Sequence, residues 1–204
     1  MSNPKPRGRP RTFDRQAALE AAMALFWQRG YEGTSIADLT EAIGATPPTL
    51  YAAFGSKEQL YRDVLLHYID RRGELLSLLS GDTPTYEALE QYLRLSAERF
   101  TAPAEPRGCM ILTASLYCAA ENEAARTTVA ELRAKTLELV VARLTRAKEA
   151  GELPEEADAL ALARFYSAVV QGMSVQAIDG ASTAELNRLV DMALAAWPGR
   201  RPGP

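Results

Sequence analysis

The sequence predicts an all-α fold of about nine helices. Breakers, caps and periodicity carry that expectation. The 12 prolines and 13 glycines cluster between long segments of good helix formers, as expected when breakers sit at helix ends. They divide the chain into helices at 14–29, 35–43, 47–54, 56–80, 84–102, 109–120, 122–150, 155–179 and 183–197. Several starts carry capping chemistry. Ser35 with Asp38 and Ser56 with Gln59 fit side chains that accept from first-turn N–H groups. Thr83 before Pro84 reads as an N-cap followed by the first helical residue. The segment 183–197 carries Leu186, Leu189, Val190, Ala193, Leu194 and Trp197 at helical spacing, and no segment alternates long enough for a strand.

Composition narrows the class. With 204 residues, 47% apolar and 24% charged, the chain suits one or two small domains with a shared core. No apolar run approaches the roughly 18 residues of a membrane span, so no membrane contact is expected. The basic, Pro-rich N-terminus lacks the apolar stretch of a secretory signal. Two cysteines give no disulfide framework, and a reducing cytoplasm is the expected location. The net charge of −3 is uneven. Residues 1–15 sum to +4 through Lys5, Arg7, Arg9, Arg11 and Arg15 against Asp14, and the rest sum to −7. A basic arm on an acidic body suggests contact with a polyanion; a solubilising tail is the alternative.

Two consecutive helices are very short. Ser35 to Ile43 would bury Ile36, Leu39 and Ile43, Gly44-Ala45-Thr46 turns, and Pro47 to Phe54 follows. This spacing fits a helix-turn-helix and also an ordinary helical hairpin. A helix this short needs a scaffold, which 14–29 can supply through Ala18, Ala22, Leu25 and Phe26. The outer side of 47–54 would show Pro47, Pro48, Thr49, Tyr51 and Ala52, with no acidic group to repel phosphate. Thr34, Ser35, Thr46, Ser56 and Lys57 gather at helix starts, which favour anions.

The segment from Phe26 to Tyr61, FWQRGYEGTSIADLTEAIGATPPTLYAAFGSKEQLY, resembles the DNA-binding domain of the tetracycline-repressor (TetR/AcrR) family of transcriptional regulators. The likeness rests on Gly30-Tyr31, Thr34-Ser35-Ile36, Thr49-Leu50-Tyr51, Phe54 and Ser56-Lys57-Glu58. Beyond residue 70 only the helical layout and length are similar. The resemblance implies a homodimer with a three-helix helix-turn-helix head, 13–58, and a helical effector-binding and dimerisation body, 59–197. It implies a repressor released from a palindromic operator in double-stranded DNA by a small-molecule effector. Pro47, Pro48, Thr49 and Tyr51 then fall where recognition residues touch DNA. Thr34, Ser35, Thr46 and Lys57 fall where phosphates are clamped. Ala52 and Ala53 replace larger side chains of many members, which leaves the operator sequence open.

Residues 1–12 form an expected disordered arm, and 198–204 a disordered tail. Pro6-Arg7-Gly8-Arg9-Pro10-Arg11 resembles an AT-hook, in which Arg7, Arg9 and Arg11 would enter a narrow A·T minor groove. A non-specific architectural DNA binder is the alternative this arm supports. In the body, 155–179 and 183–197 are rich in small and apolar residues and are expected at the dimer interface. Met110, Leu112, Tyr117, Phe165, Tyr166 and Met173 are the expected effector lining, or plain core. Gly73 is a hinge or a tolerated residue. Cys109 follows Pro106-Arg107-Gly108 at a helix start, a setting that favours a thiolate, so a redox- or electrophile-sensing repressor is a second possibility. A small buried apolar residue is the simpler reading. Cys118 lies nine residues on, roughly 13 Å away along a continuous helix, too far for a disulfide. His67 stands alone, and no ligand cluster, phosphate loop or nucleophile elbow is present. Neither a metal, a cofactor nor an enzyme activity is expected.

Overall fold

The computed structural model describes residues 13–113 and 122–199. Among them are ten helices and no strand: α1 Arg15–Arg29, α2 Ile36–Ile43, α3 Pro47–Phe54, α4 Lys57–Asp70, α5 Gly73–Ser80, α6 Thr85–Phe100, α7 Met110–Thr113, α8 Glu123–Glu149, α9 Ala159–Ile178 and α10 Thr183–Ala195. Arg7, Arg9, Arg11, Tyr117 and Cys118 lie outside the described residues, as does most of the helix expected at 109–120.

Local chemistry sets the starts. Ser35 accepts from the Asp38 N–H while the Asp38 carboxylate takes the Ser35 N–H, a reciprocal capping box. The Ser35 side chain and backbone hold the Asp38 carboxyl below its ordinary value of 3.8. A depressed folded-state value favours folding above the ordinary value, and that contribution is lost as pH falls through the lowered one. Ser56 accepts from the Gln59 N–H as expected. The start near Pro84 is shifted by one residue: Pro84 itself is the cap, and the Thr85 N–H is taken by Glu152. The helix expected from 155 begins at 159, because Asp158 accepts from the Leu160 and Ala161 N–H groups. Pro154 to Ala157 closes a separate turn.

The expected helix 56–80 is two helices. α4 ends where Arg71 N–H reaches the His67 carbonyl and Arg72 N–H the Ile69 carbonyl. Gly73 then opens α5 without a positive φ and without crowding around its Cα, so the break does not require glycine. Arg143 of α8 helps hold α5 by donating to the Gly81 and Thr83 carbonyls beyond its end. These carbonyls would otherwise lack donors.

α1 packs along α4 and α2, and α3 packs on both α2 and α4. Phe26 meets the Tyr61 ring edge-on at 4.9 Å, and Leu39, Leu50 and Phe54 close the centre. In the body, α8 and α9 pack together, α6 contacts α9 and α10, and α5 bridges α6 and α8. One apolar core runs through both parts. α4 crosses the border expected after residue 58 and contacts α1 on one side and α8 on the other.

Gly108 sits at φ +81°, where a side chain would meet Ile178 and the Ser174 carbonyl at 2.9 Å. Gly108→Ala should therefore lower stability by about 2–4 kcal/mol, from left-handed backbone and overpacking together. Urea unfolding measures this, and an unchanged midpoint would show that the loop before α7 does not depend on that close approach.

Candidate nucleic-acid interface and ligand cavity

The turn between α2 and α3 is short because Gly44 adopts φ 68°, ψ 35°. Its N–H and that of Ala45 return to carbonyls at the end of α2, the arrangement a left-handed residue permits after a helix. α3 then starts at Pro47, where a missing N–H costs nothing. Pro47, Pro48, Tyr51 and Ala52 are exposed, and Thr49 is half-buried. Tyr51 is 45% exposed although aromatic. Leu50 and Phe54 face inward. The short helix thus presents a polar and aromatic surface free of acidic groups, anchored by two apolar side chains.

The expected phosphate contacts differ from one another. Ser35 is exposed at the start of α2. Thr46 is exposed, and its hydroxyl shares a 2.9 Å hydrogen bond with that of Thr49. Lys57 lies with Nζ 4.2 Å from the Tyr31 ring centroid. Burial pushes its ammonium below the ordinary value, opposed by Glu32. Thr34 is a correction: its side chain is fully buried and donates to the Gly30 carbonyl at 2.8 Å. It closes the loop that places Ser35 and offers no hydroxyl to a phosphate.

A cavity of about 430 Å³ lies among α4, α5, α6, α7, α8 and one side of α9. Leu75, Leu76, Leu112, Leu132 and Leu137 provide apolar walls, with Tyr68, Tyr92 and Phe100. Of the expected lining, Leu112 takes part. Met110, Tyr166 and Met173 do not, because they are buried in the core instead. Phe165 is 41% exposed on the outer side of α9.

Cys109 lines this cavity, 7% exposed. Tyr68 Oη donates to Cys109 Sγ at 3.2 Å, Ser174 Oγ accepts from the Cys109 N–H, and the Met110 N–H reaches Tyr68 Oη. Burial, aided by Cys109, pushes the Tyr68 phenol well above its ordinary value, so it stays a neutral donor. Arg107, expected to favour a thiolate, turns away and donates to the Ala177 and Ala181 carbonyls. The Ala177 carbonyl lies in the last turn of α9, whose end draws cations, and Ala181 lies in the loop just beyond it.

The residue that sequence reasoning missed is Arg72. It is 7% exposed, lines the cavity, and its guanidinium carbon lies 4.3 Å from the Tyr68 ring centroid. The signal was present: Leu65, Tyr68, Arg72, Leu75 and Leu79 form one helical stripe, and Arg72 is its only charge.

Among the described residues several side chains join head and body. His67 on α4 bonds Glu20 on α1 at 2.7 Å. Arg71 reaches Glu20 at 3.2 Å and Glu105 in the loop before α7 at 2.7 Å. Asn122, at the start of α8, donates to Glu32 in the loop before α2. The exposed large apolar residues Leu160, Phe165, Val175 and Ile178 lie on the outer side of α9, and Met192 on α10 is 75% exposed. No group of three or more metal-binding side chains occurs among the described residues. Nor is any described helix long and apolar enough to cross a membrane.

Comparison with known proteins agrees with this architecture. Residues 18–64 match the N-terminal region of bacterial regulatory proteins of the tetR family, and 86–192 match a tetracyclin repressor-like C-terminal domain. The chain is 39% identical to the HTH-type transcriptional repressor ComR of Escherichia coli K12 over 196 residues, covering 95% of this chain and 93% of that one. It superposes with a TM-score of 0.88 on a cysteine mutant of the TetR family regulator CifR complexed with 26-bp operator DNA. That pair is 43% identical, over 93% of this chain and 100% of the other. Reduced Escherichia coli NemR shares the fold, with a TM-score of 0.78 at 21% identity over 92% of this chain and 98% of that one. With a helix-turn-helix head and a helical body that each match, the chain belongs to the tetR family of bacterial transcriptional regulators.

Proposed function

We propose that the chain is a homodimeric repressor of bacterial transcription, released from an inverted-repeat operator by a small molecule bound in the body. It acts in the cytoplasm as a regulator and not as an enzyme. The observation that carries this reading is the path from cavity to recognition surface: α4 borders the cavity through Tyr68 and Ile69 and also packs along α1 of the head. Its placement allows an occupant to move the head, provided the occupant prefers one arrangement of α4 over another. The exposed apolar side of α9 and Met192 of α10 supply the two-fold interface. Such an interface sets two α3 helices about one DNA turn apart or more.

In this reading Pro47, Pro48, Thr49 and Tyr51 face bases and sugars, while Ser35, Thr46 and Lys57 contact phosphates. Arg7, Arg9 and Arg11 add minor-groove contacts at A·T flanks. Selection from random double-stranded DNA should recover an inverted repeat, bound by a species of twice 22.2 kDa. Recovery of unrelated A·T-rich DNA would favour the architectural alternative instead.

A second reading is favoured by the placement of Cys109 in the cavity wall beside Tyr68. There a covalent adduct fills the same space that a reversible ligand would. N-ethylmaleimide tests it, since its double bond takes the sulfur on one carbon and a proton on the other. Under this reading the reagent releases operator DNA from the parent and not from Cys109→Ser. Equal release from both would show that Cys109 is not the trigger.

Lys57→Ala should weaken binding to every DNA sequence and reduce the slope of log affinity against log salt by about 1 per subunit. Tyr51→Ala should cost affinity mainly on the selected operator. Fluorescence titration across a salt series measures both, and unchanged affinity in folded variants would remove α3 from the interface.

A further inference from the structure

Among the described residues no carboxylate pairs with Arg72. Its Nη2 is buried without a hydrogen-bond partner. Its aromatic neighbours Tyr68, Trp27 and Phe100 stand 4.3, 5.7 and 5.9 Å from the guanidinium carbon. They stack on the cation but accept no in-plane hydrogen bond. The nearby arginines differ. Arg71 is paired with Glu20 and Glu105, and Arg99 with Glu74. A second, polar cavity of about 280 Å³ is lined by Tyr68, Arg71, Arg72, Arg99 and Glu105. Arg72 therefore stands between two spaces, and of these three arginines the buried one lacks a carboxylate.

The main cavity has the matching character. Its charged lining among the described residues is Arg72, Arg133 and Arg164, with no Asp or Glu. The remaining wall is mostly leucine and aromatic, with Tyr68 able to donate. A buried guanidinium without a counterion is costly, and a planar bidentate acceptor is the partner its geometry fits best.

We propose that the effector is a compact organic anion, a carboxylate on an aliphatic or aromatic body, whose acid group pairs with Arg72 in the main cavity. The acid group sits at the break between α4 and α5, one residue from Arg71 and its bond to Glu20 of α1. The apolar body lies along Leu75, Leu112, Leu132 and Leu137. This inference rests on the ligand-released repressor reading and names its ligand class. A cavity of about 430 Å³ is in the range of small-molecule sites.

The test uses the full-length protein with octanoate and 4-phenylbutyrate as probes, and their primary amides as neutral controls. Thermal unfolding of the parent should rise by about 3–5 °C when a carboxylate reaches about ten times its dissociation constant. The amides should give no rise, and Arg72→Met should lose the response to both acids. Arg72→Met alone should unfold at the parent's temperature or above, because it removes an unpaired buried charge and keeps the apolar stem. Equal shifts with acids and amides, a carboxylate shift that survives Arg72→Met, or no shift from either acid at about 10 mM would each overturn the proposal. Operator binding by the ligand-free parent and by Arg72→Met separates this failure from failure of the repressor reading. If both bind the selected operator, only the ligand class is wrong.

Discussion

The structure depends on α4 being one rigid helix with two loyalties. Its N-terminal part closes the head, where Leu60, Tyr61 and Val64 are buried and the helix packs on α1 and α3. Its C-terminal part closes the cavity, where Tyr68 and Ile69 form wall. An α-helix transmits a displacement along its axis because its hydrogen-bond ladder resists bending. The break at Arg71-Arg72 ends that rigid unit at the edge of the cavity. Arg71 faces outward to Glu20 and Glu105, and Arg72 faces inward to the aromatic wall. Adjacent residues thus connect the two parts, one holding the head and one meeting whatever enters the body.

The energetics of this joint favour a switch over a permanent lock. The Glu20 pairs are part-exposed, so each contributes little to stability. The apolar contact of α1 with α4 holds the head together. Asn122 adds a second tie between α8 and the Glu32 loop, next to Lys57 on the Tyr31 ring. Elements that wall the cavity therefore reach the head from two directions, along α4 and from the start of α8. A ligand moves the equilibrium only by the difference in its affinity for the two arrangements.

Much of the head was legible because its signals are local. Ser35 with Asp38, Gly44 in the turn and Pro47 at a helix start each act over a few residues, and the structure places them where the spacing predicts. Thr34 was not legible, since whether a threonine faces phosphate or the Gly30 carbonyl is decided by how the loop closes. The body was legible as helices but not as a cavity. Met110, Tyr166 and Met173 have the chemistry of lining, yet helical spacing alone does not tell a cavity wall from core. The single long helix expected over 56–80 hid the break at residues 71–72, because Gly73 is compatible with either form. Arg72 was visible as a charge on an apolar stripe, and its meaning needed the third dimension.

In the proposed repressor the recognition surface and the cavity are coupled through α4. Linkage makes coupling reciprocal, so operator binding must alter the cavity even when no effector is present. Hydrogen exchange of the full-length protein, free and bound to its selected operator, measures this directly. Such coupling predicts that operator changes amide protection at residues 70–76, at the α4–α5 break, as well as in α1 to α3. Changes confined to residues 15–60 would contradict it.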